Sequence, residues 1–194
     1  METNKIQGWN RTTEAIYKNV MLYAIAGIAA SLFSIIPLMG WLANACNVLV
    51  VAGYIAFFLR IKDLSLMVEE ADVDGMKKLS NGILLYILAL MVKVIPVAGG
   101  ILYAIAVIVS CVFMLLGYNA LRKSETFPGK DGMKMLFIAM IIGIVGGVLA
   151  IIPVIGAILG GICFIVEFVF VLLGWKKVAE PVVEKPVVEE AKTE

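Results

Sequence analysis

Histidine does not occur anywhere in the 194 residues. Its absence removes the side chain that most often serves as a general base near neutral pH, and with it the commonest metal ligand. Cysteine is scarce: Cys46, Cys111 and Cys163 each sit inside an apolar run, so they read as small packing residues and not as a disulfide framework or a metal site. Charged residues make up only 16% of the chain and form no basic stripe, which leaves nucleic-acid binding without support. A phosphate-binding loop, a nucleophile paired with a base and a cofactor fingerprint are all lacking. The expectation is a non-enzymatic protein with no cofactor and no metal.

What the chain does contain is apolar length. Hydrophobic residues account for 62% of positions, and mean hydropathy is +1.01. This is more apolar surface than one soluble core can bury, and it places the chain among integral membrane proteins with the lipid bilayer as first partner. The opening stretch "METNKIQGWNRTTEAIYKNV" is polar, and no A-x-A-like site follows the first apolar run, so that run is expected to be retained as a helix and not removed as a signal.

The apolar runs are punctuated by one recurring turn, seen as "SIIPLMGW", "KVIPVAGG" and "AIIPVIGA". Its core is Ile-Pro-x-x-Gly, with Pro37 and Gly40, Pro96 and Gly99, Pro153 and Gly156. The prolines are 59 and 57 residues apart, and Lys18, Lys77 and Lys134 each lie nineteen residues before one of them. "DGMKK" precedes the second turn as "DGMKM" precedes the third, and "MLLGYNALRK" follows the second as "VLLGWKKVAE" follows the third. This is an internal repeat.

Proline lacks the N–H that a continuing helix needs and disfavours helical geometry in the residue before it, so each repeat reads as a helical hairpin. The fold expected is an all-α integral membrane protein whose six transmembrane helices form three repeated hairpins. Spans are placed near residues 17–36, 38–59, 79–95, 97–118, 133–152 and 154–175, each close to the roughly 20 residues a bilayer core requires. The domain layout is a cytoplasmic arm at 1–15, a membrane domain at 16–178 with repeats near 16–60, 75–119 and 132–176, and a disordered cytoplasmic tail at 179–194. The turn followed by an apolar helix ending in Gly-Tyr118 or Gly-Trp175 resembles a pattern of small, uncharacterised prokaryotic multi-pass membrane families. That resemblance implies a fold and no activity.

Charge supports the same topology. Of sixteen Lys and Arg, all but Lys93 fall in the two ends of the chain or in the segments 60–78 and 122–134. A six-span chain puts those segments on one side, and the positive-inside rule makes it the cytoplasm, with both termini there and the protein in the cell (inner) membrane. Re-entrant wedges of the reticulon type, which shape membranes, give the same asymmetry; spans of about 20 residues favour full crossing.

Small residues mark where membrane helices approach one another. Gly143-x-x-x-Gly147 lies in the fifth span and Gly156-x-x-x-Gly160 in the sixth, where a stripe continues through Cys163, Glu167, Val171 and Gly174; Gly27-x-x-x-Ser31 in the first is a weaker version. Glu167 is the one carboxylate outside the cytoplasmic segments. It is read either as a proton- or ion-binding centre or as a protonated, hydrogen-bonded structural acid. Tyr23 and Ser110 are candidate partners at similar depth. Asn44 and Asn47 read as interhelical hydrogen-bonding groups or a substrate contact, and Lys93, near an outer turn, can snorkel to the interface.

In the cytoplasmic segments, "IKDLSLMVEEA" has the spacing of a short helix lying on the membrane surface. The D-x-D-G fragment that follows lacks the later ligands of a calcium loop, so Asp74 and Asp131 are read as helix caps. The repeated Pro-Val-Val-Glu of the tail suggests an extended spacer or a docking peptide. Three roles remain: a scaffold or accessory subunit associating with itself or a membrane partner through its glycine faces, a small transporter or channel centred on Glu167, or a membrane-shaping hairpin protein.

Overall fold

A computed structural model describes residues 3–36, 38–92, 99–152 and 155–182. The turn prolines Pro37, Pro96 and Pro153, the lone lysine Lys93 and the tail from residue 183 lie outside the described residues. Six helices follow in order: α1 (Thr3–Ile35), α2 (Gly40–Ser65), α3 (Glu70–Val92), α4 (Gly99–Lys123), α5 (Lys130–Ala150) and α6 (Ile155–Val178). All six are long and apolar enough to cross a membrane. The fold is all-helical, and its composition is that of a multi-pass membrane protein.

Among the described residues the backbone of each helix comes close to those of its two neighbours in the chain, and α6 closes on α1, so the six form a ring whose larger side chains, such as Phe57 of α2 and Trp175 of α6, meet across its interior. Contacts are closest within the pairs α1–α2, α3–α4 and α5–α6, and the thinnest seam is between α2 and α3. Large aromatic and aliphatic side chains, among them Tyr23, Tyr54, Phe57, Met114, Tyr118 and Trp175, make one continuous buried cluster. The outside is equally apolar: Ile25, Val48, Leu88, Leu102, Ile141 and Ile162 are exposed, one from each helix. An apolar exterior around an apolar interior suits a ring solvated by lipid.

Small residues at heptad spacing explain the close pairs. In α3, Gly75, Gly82 and Ala89 are buried, and in α5, Gly132, Ala139 and Gly146 repeat that spacing. A Cβ at Gly117 of α4 would stand 2.8 Å from the Gly75 carbonyl oxygen, and one at Gly174 of α6 would stand 3.1 Å from the Gly132 carbonyl oxygen. Only hydrogen fits at these crossings, so the backbones come together. The outer glycines open the departing helices: Gly40 and Gly99 are first residues, and Gly156 is the second residue of α6, its N–H donating to the Ile152 carbonyl at 3.1 Å. None of these three has a positive φ; at the first turn that conformation falls on Leu38, with φ 70° and 96% exposure.

Three expectations change. The polar stretch 3–15 is not a separate arm but the start of α1, because Trp9, Thr13 and Ile16 are buried against the loops and helices at that end. The surface helix at 61–71 is not formed: α2 runs on to Ser65, with Ile61 and Leu64 fully buried in the bundle, and α3 begins at Glu70. Asp74 and Asp131 are not caps. Both lie inside a first or second helical turn and pair with Lys78 at 2.6 Å and Lys134 at 2.7 Å, while the N-cap of α5 is Gly129 at φ 80°.

The described ends of the chain meet. Asn10 of α1 donates from Nδ2 to the Val182 carbonyl at 3.3 Å and accepts at Oδ1 from the Val182 N–H at 3.0 Å, so residues before α1's apolar part and just beyond α6 are clasped at one end of the ring. At the same end, Thr126 donates to the buried Asp72 carboxylate at 2.8 Å, tying the α4–α5 loop to α3.

Candidate intramembrane site

The aromatic side chains that the ring turns inward come from helices far apart in sequence. Tyr54 lies between Tyr23 and Tyr86, with ring centroids 4.2 Å and 4.5 Å away. Tyr23 also meets Phe168 edge-on at 6.4 Å, and Phe57 meets Trp175 edge-on at 5.3 Å. The Tyr86 and Tyr103 side chains are hydrogen-bonded to each other. Offset and edge-on pairs of this kind each add about 1 kcal/mol beyond burial. The consequence is an axis packed with phenol rings and not with aliphatic chains alone.

Above this stack is a cavity of about 250 Å³ at the end where the turn prolines lie in sequence. Every helix contributes to its wall, through Ser31, Asn47, Tyr86, Tyr103, Ala150 and Phe164, and Phe168 forms part of its floor. The wall thus mixes small and aliphatic residues with the rings of Tyr86, Tyr103, Phe164 and Phe168 and a few neutral hydrogen-bonding groups, the mixture found in small-ligand pockets.

Glu167 stands one residue from that floor and is 1% exposed. Its carboxyl is turned to α5, where a Cβ at Gly143 would be 2.8 Å from the carboxyl carbon and both oxygens. Its Oε2 has no hydrogen-bond partner among the described residues. Tyr23, Tyr54, Tyr86, Tyr118 and Cys111 are buried in the same interior, with Tyr103 packed against them. A buried polar oxygen left unpaired normally costs about 1–3 kcal/mol, so its retention asks for a chemical reason.

The residues singled out from sequence divide into three groups. Glu167 and Tyr23 share the buried centre, and Asn47 lines the cavity above it. Ser110 is occupied elsewhere, donating to the Gly82 carbonyl at 3.0 Å across the α3–α4 crossing. Asn44 is exposed on the outside of α2. Of the glycines, Gly143 faces Glu167, Gly160 packs on the Gly146 carbonyl, and Gly147 turns to Ile108 of α4, so the Gly143–Gly147 motif serves two different neighbours.

Sequence reading missed Tyr54, Tyr86 and Tyr103. Aromatic residues in apolar runs carry no mark of which will converge. The three cysteines are free, and among the described residues no group of His, Cys, Asp or Glu could hold a metal ion. Comparison with protein-family profiles, with curated proteins and with solved structures gives no match to this chain. The chemistry of the site therefore rests on its own geometry: a buried carboxyl that can take up a proton or a cation, within an interior that also holds several tyrosine and phenylalanine rings, whose quadrupoles attract positive charge.

Proposed function

We propose that the protein is a small membrane transporter or channel for a cation, a proton or a small organic ammonium ion, with Glu167 as its ionisable centre. The observation that carries this reading is the unpaired Glu167 oxygen buried inside a ring of six helices; the cavity that all six helices line is reached in the chain through its neighbour Phe168. An ionisable side chain in the hydrocarbon region is expensive and marks a pathway more often than a packing contact. The rings of Tyr86, Tyr103, Phe164 and Phe168 in the cavity wall favour a positively charged cargo, and Asn47 and Ser31 add neutral hydrogen-bonding groups there.

The three-hairpin repeat belongs to the same proposal. The contact between Gly117 and Gly75 in the second hairpin has its counterpart in that between Gly174 and Gly132 in the third, at the same distances in sequence from Pro96 and Pro153. The first hairpin has Ile16 and Phe58 in those places and departs from the pattern. The clustering of lysine and arginine supports, as part of the same proposal, an orientation in the inner membrane with the clasped ends of the chain in the cytoplasm and the cavity toward the other side.

A scaffold associating through glycine faces has less support, since Gly75, Gly117, Gly132, Gly143, Gly160 and Gly174 are all covered by helices of the same chain. Separate membrane-bending wedges are disfavoured by the closure of α6 on α1. The deciding experiment is flux in proteoliposomes, measured for protons, alkali cations and a small quaternary ammonium probe with wild type and Glu167→Gln. Flux that the substitution abolishes supports the proposal. An absence of flux in wild type, or flux indifferent to Glu167→Gln, overturns it.

A further inference from the structure

The thin seam between α2 and α3 leaves a groove of about 680 Å³ at the charged end of the ring. Its α3 wall is a single stripe, Glu70, Val73, Lys77, then Ser80 with Asn81, residues that recur at three- and four-residue steps and so share one face. Opposite it stand Lys62 and Ser65 at the end of α2, with Leu66 and Val68 of the following loop. Lys62 and Lys77 make no ion pair among the described residues; the neighbouring Lys78 is the one taken up, by Asp74. The Lys62 ammonium lies 5.1 Å from the centre of the Phe58 ring, which keeps its stem against the helix and its charge at the groove. Leu66, almost fully exposed, is an apolar side chain at the rim of the same groove.

The order of these groups along α3 is what identifies an occupant. At about 1.5 Å per residue, the stripe runs from a carboxylate at Glu70, through a cation at Lys77 some 10 Å deeper, to the hydroxyl and amide of Ser80 and Asn81 about 5 Å deeper again, where the apolar span begins. A glycerophospholipid with a primary-amine headgroup presents the complementary order at that level of a bilayer: ammonium outermost, phosphodiester below it, ester carbonyls deepest. We propose that this groove binds one lipid of the phosphatidylethanolamine type, its phosphate held by Lys62 and Lys77, its ammonium by Glu70, and its ester oxygens by Ser80 and Asn81. Phosphatidylglycerol would satisfy the lysines with the same phosphate but offer Glu70 only neutral hydroxyls in place of an ammonium, so it would lack the ion pair. A choline lipid would satisfy the lysines and offer Glu70 no N–H donor. The site is independent of the axial cavity and of whether the ring transports anything.

The test is native mass spectrometry of the delipidated full chain in detergent, titrated separately with phosphatidylethanolamine, phosphatidylcholine and phosphatidylglycerol of matched acyl chains. One retained phosphatidylethanolamine per chain is expected at a concentration about tenfold below that needed for the other two, the scale of one charge-assisted hydrogen bond. Lys62→Ala with Lys77→Ala should abolish retention. Glu70→Gln, which preserves shape, should bring phosphatidylethanolamine down to the level of phosphatidylcholine. Lys134→Ala, which removes an equally exposed lysine away from the groove, should change nothing. Equal retention of the three lipids, a preference for phosphatidylglycerol, retention by the double lysine variant, or an equal loss in Lys134→Ala would each overturn the assignment.

Discussion

The α5–α6 and α2–α3 seams belong to one ring yet are built by opposite means. Along α5 and α6, Gly132, Gly146, Gly160 and Gly174 recur at multiples of seven; Gly132, Gly160 and Gly174 sit where carbonyl oxygens of the partner helix approach, and Gly146 where the Cys163 and Phe164 side chains do. Across α2 and α3 no glycine among the described residues meets the other helix: Gly53 turns to α1, Gly75 and Gly82 turn to α4, and the seam is bridged by the stacked rings of Tyr54 and Tyr86 beside the groove lined by Lys62 and Lys77. In lipid there is no solvent to drive helices together, so closeness depends on what the side chains permit. One seam is therefore welded by van der Waals contact and the other has room for polar groups and a lipid headgroup.

Substitutions sharpen this contrast in a graded way. The largest effect should come from Gly174→Leu, whose Cβ would stand 2.7 Å from Leu136 and whose remaining atoms have nowhere to go; a loss of about 3 kcal/mol or more is expected, measured by unfolding in mixed detergent. Gly143→Ala should cost about 1–2 kcal/mol by pushing on the Glu167 carboxyl. The cost should largely vanish when Glu167 is also replaced by alanine, and a cycle showing no coupling would mean that the carboxyl is not held over Gly143. Ser80→Leu, on the groove side of α3, should change stability by less than about 1 kcal/mol; a penalty equal to that of Gly174→Leu would erase the difference between the seams. Smallest of all, Leu38→Gly should raise stability by about 0.5 kcal/mol, since it relieves a left-handed conformation at a position that packs on nothing.

Much of this was written plainly in the chain. Six apolar runs separated by a repeated proline turn carry the helix number, because hydropathy and helix breaking are local properties. Glu167 could be found for the same reason: one carboxylate in "FIVEFVF" contrasts with everything around it. The burial of the first turns of α1 was also encoded, in Ile6, Trp9, Thr13, Ile16 and Val20 at alternating steps of three and four, but intervening polar residues hid a stripe that only the facing loops make meaningful. Ile61 and Leu64 show the opposite limit. An apolar face looks the same whether it rests on a bilayer or on a bundle interior, and tertiary position alone chooses between them. The meeting of Tyr23, Tyr54 and Tyr86 depends on how three helices are rotated within a closed circle, which no local pattern specifies.

The reciprocal bonds between Asn10 and Val182 have a consequence for how the molecule can be cut. A circle of helices whose first and last members already touch has no obligatory starting point. Joining the chain across that clasp and opening it between Met67 and Glu69, at the loosest joint, would relocate both ends while leaving every tight hairpin intact. Such a rearranged chain should assemble the same circle, with its breathing concentrated where the new ends lie.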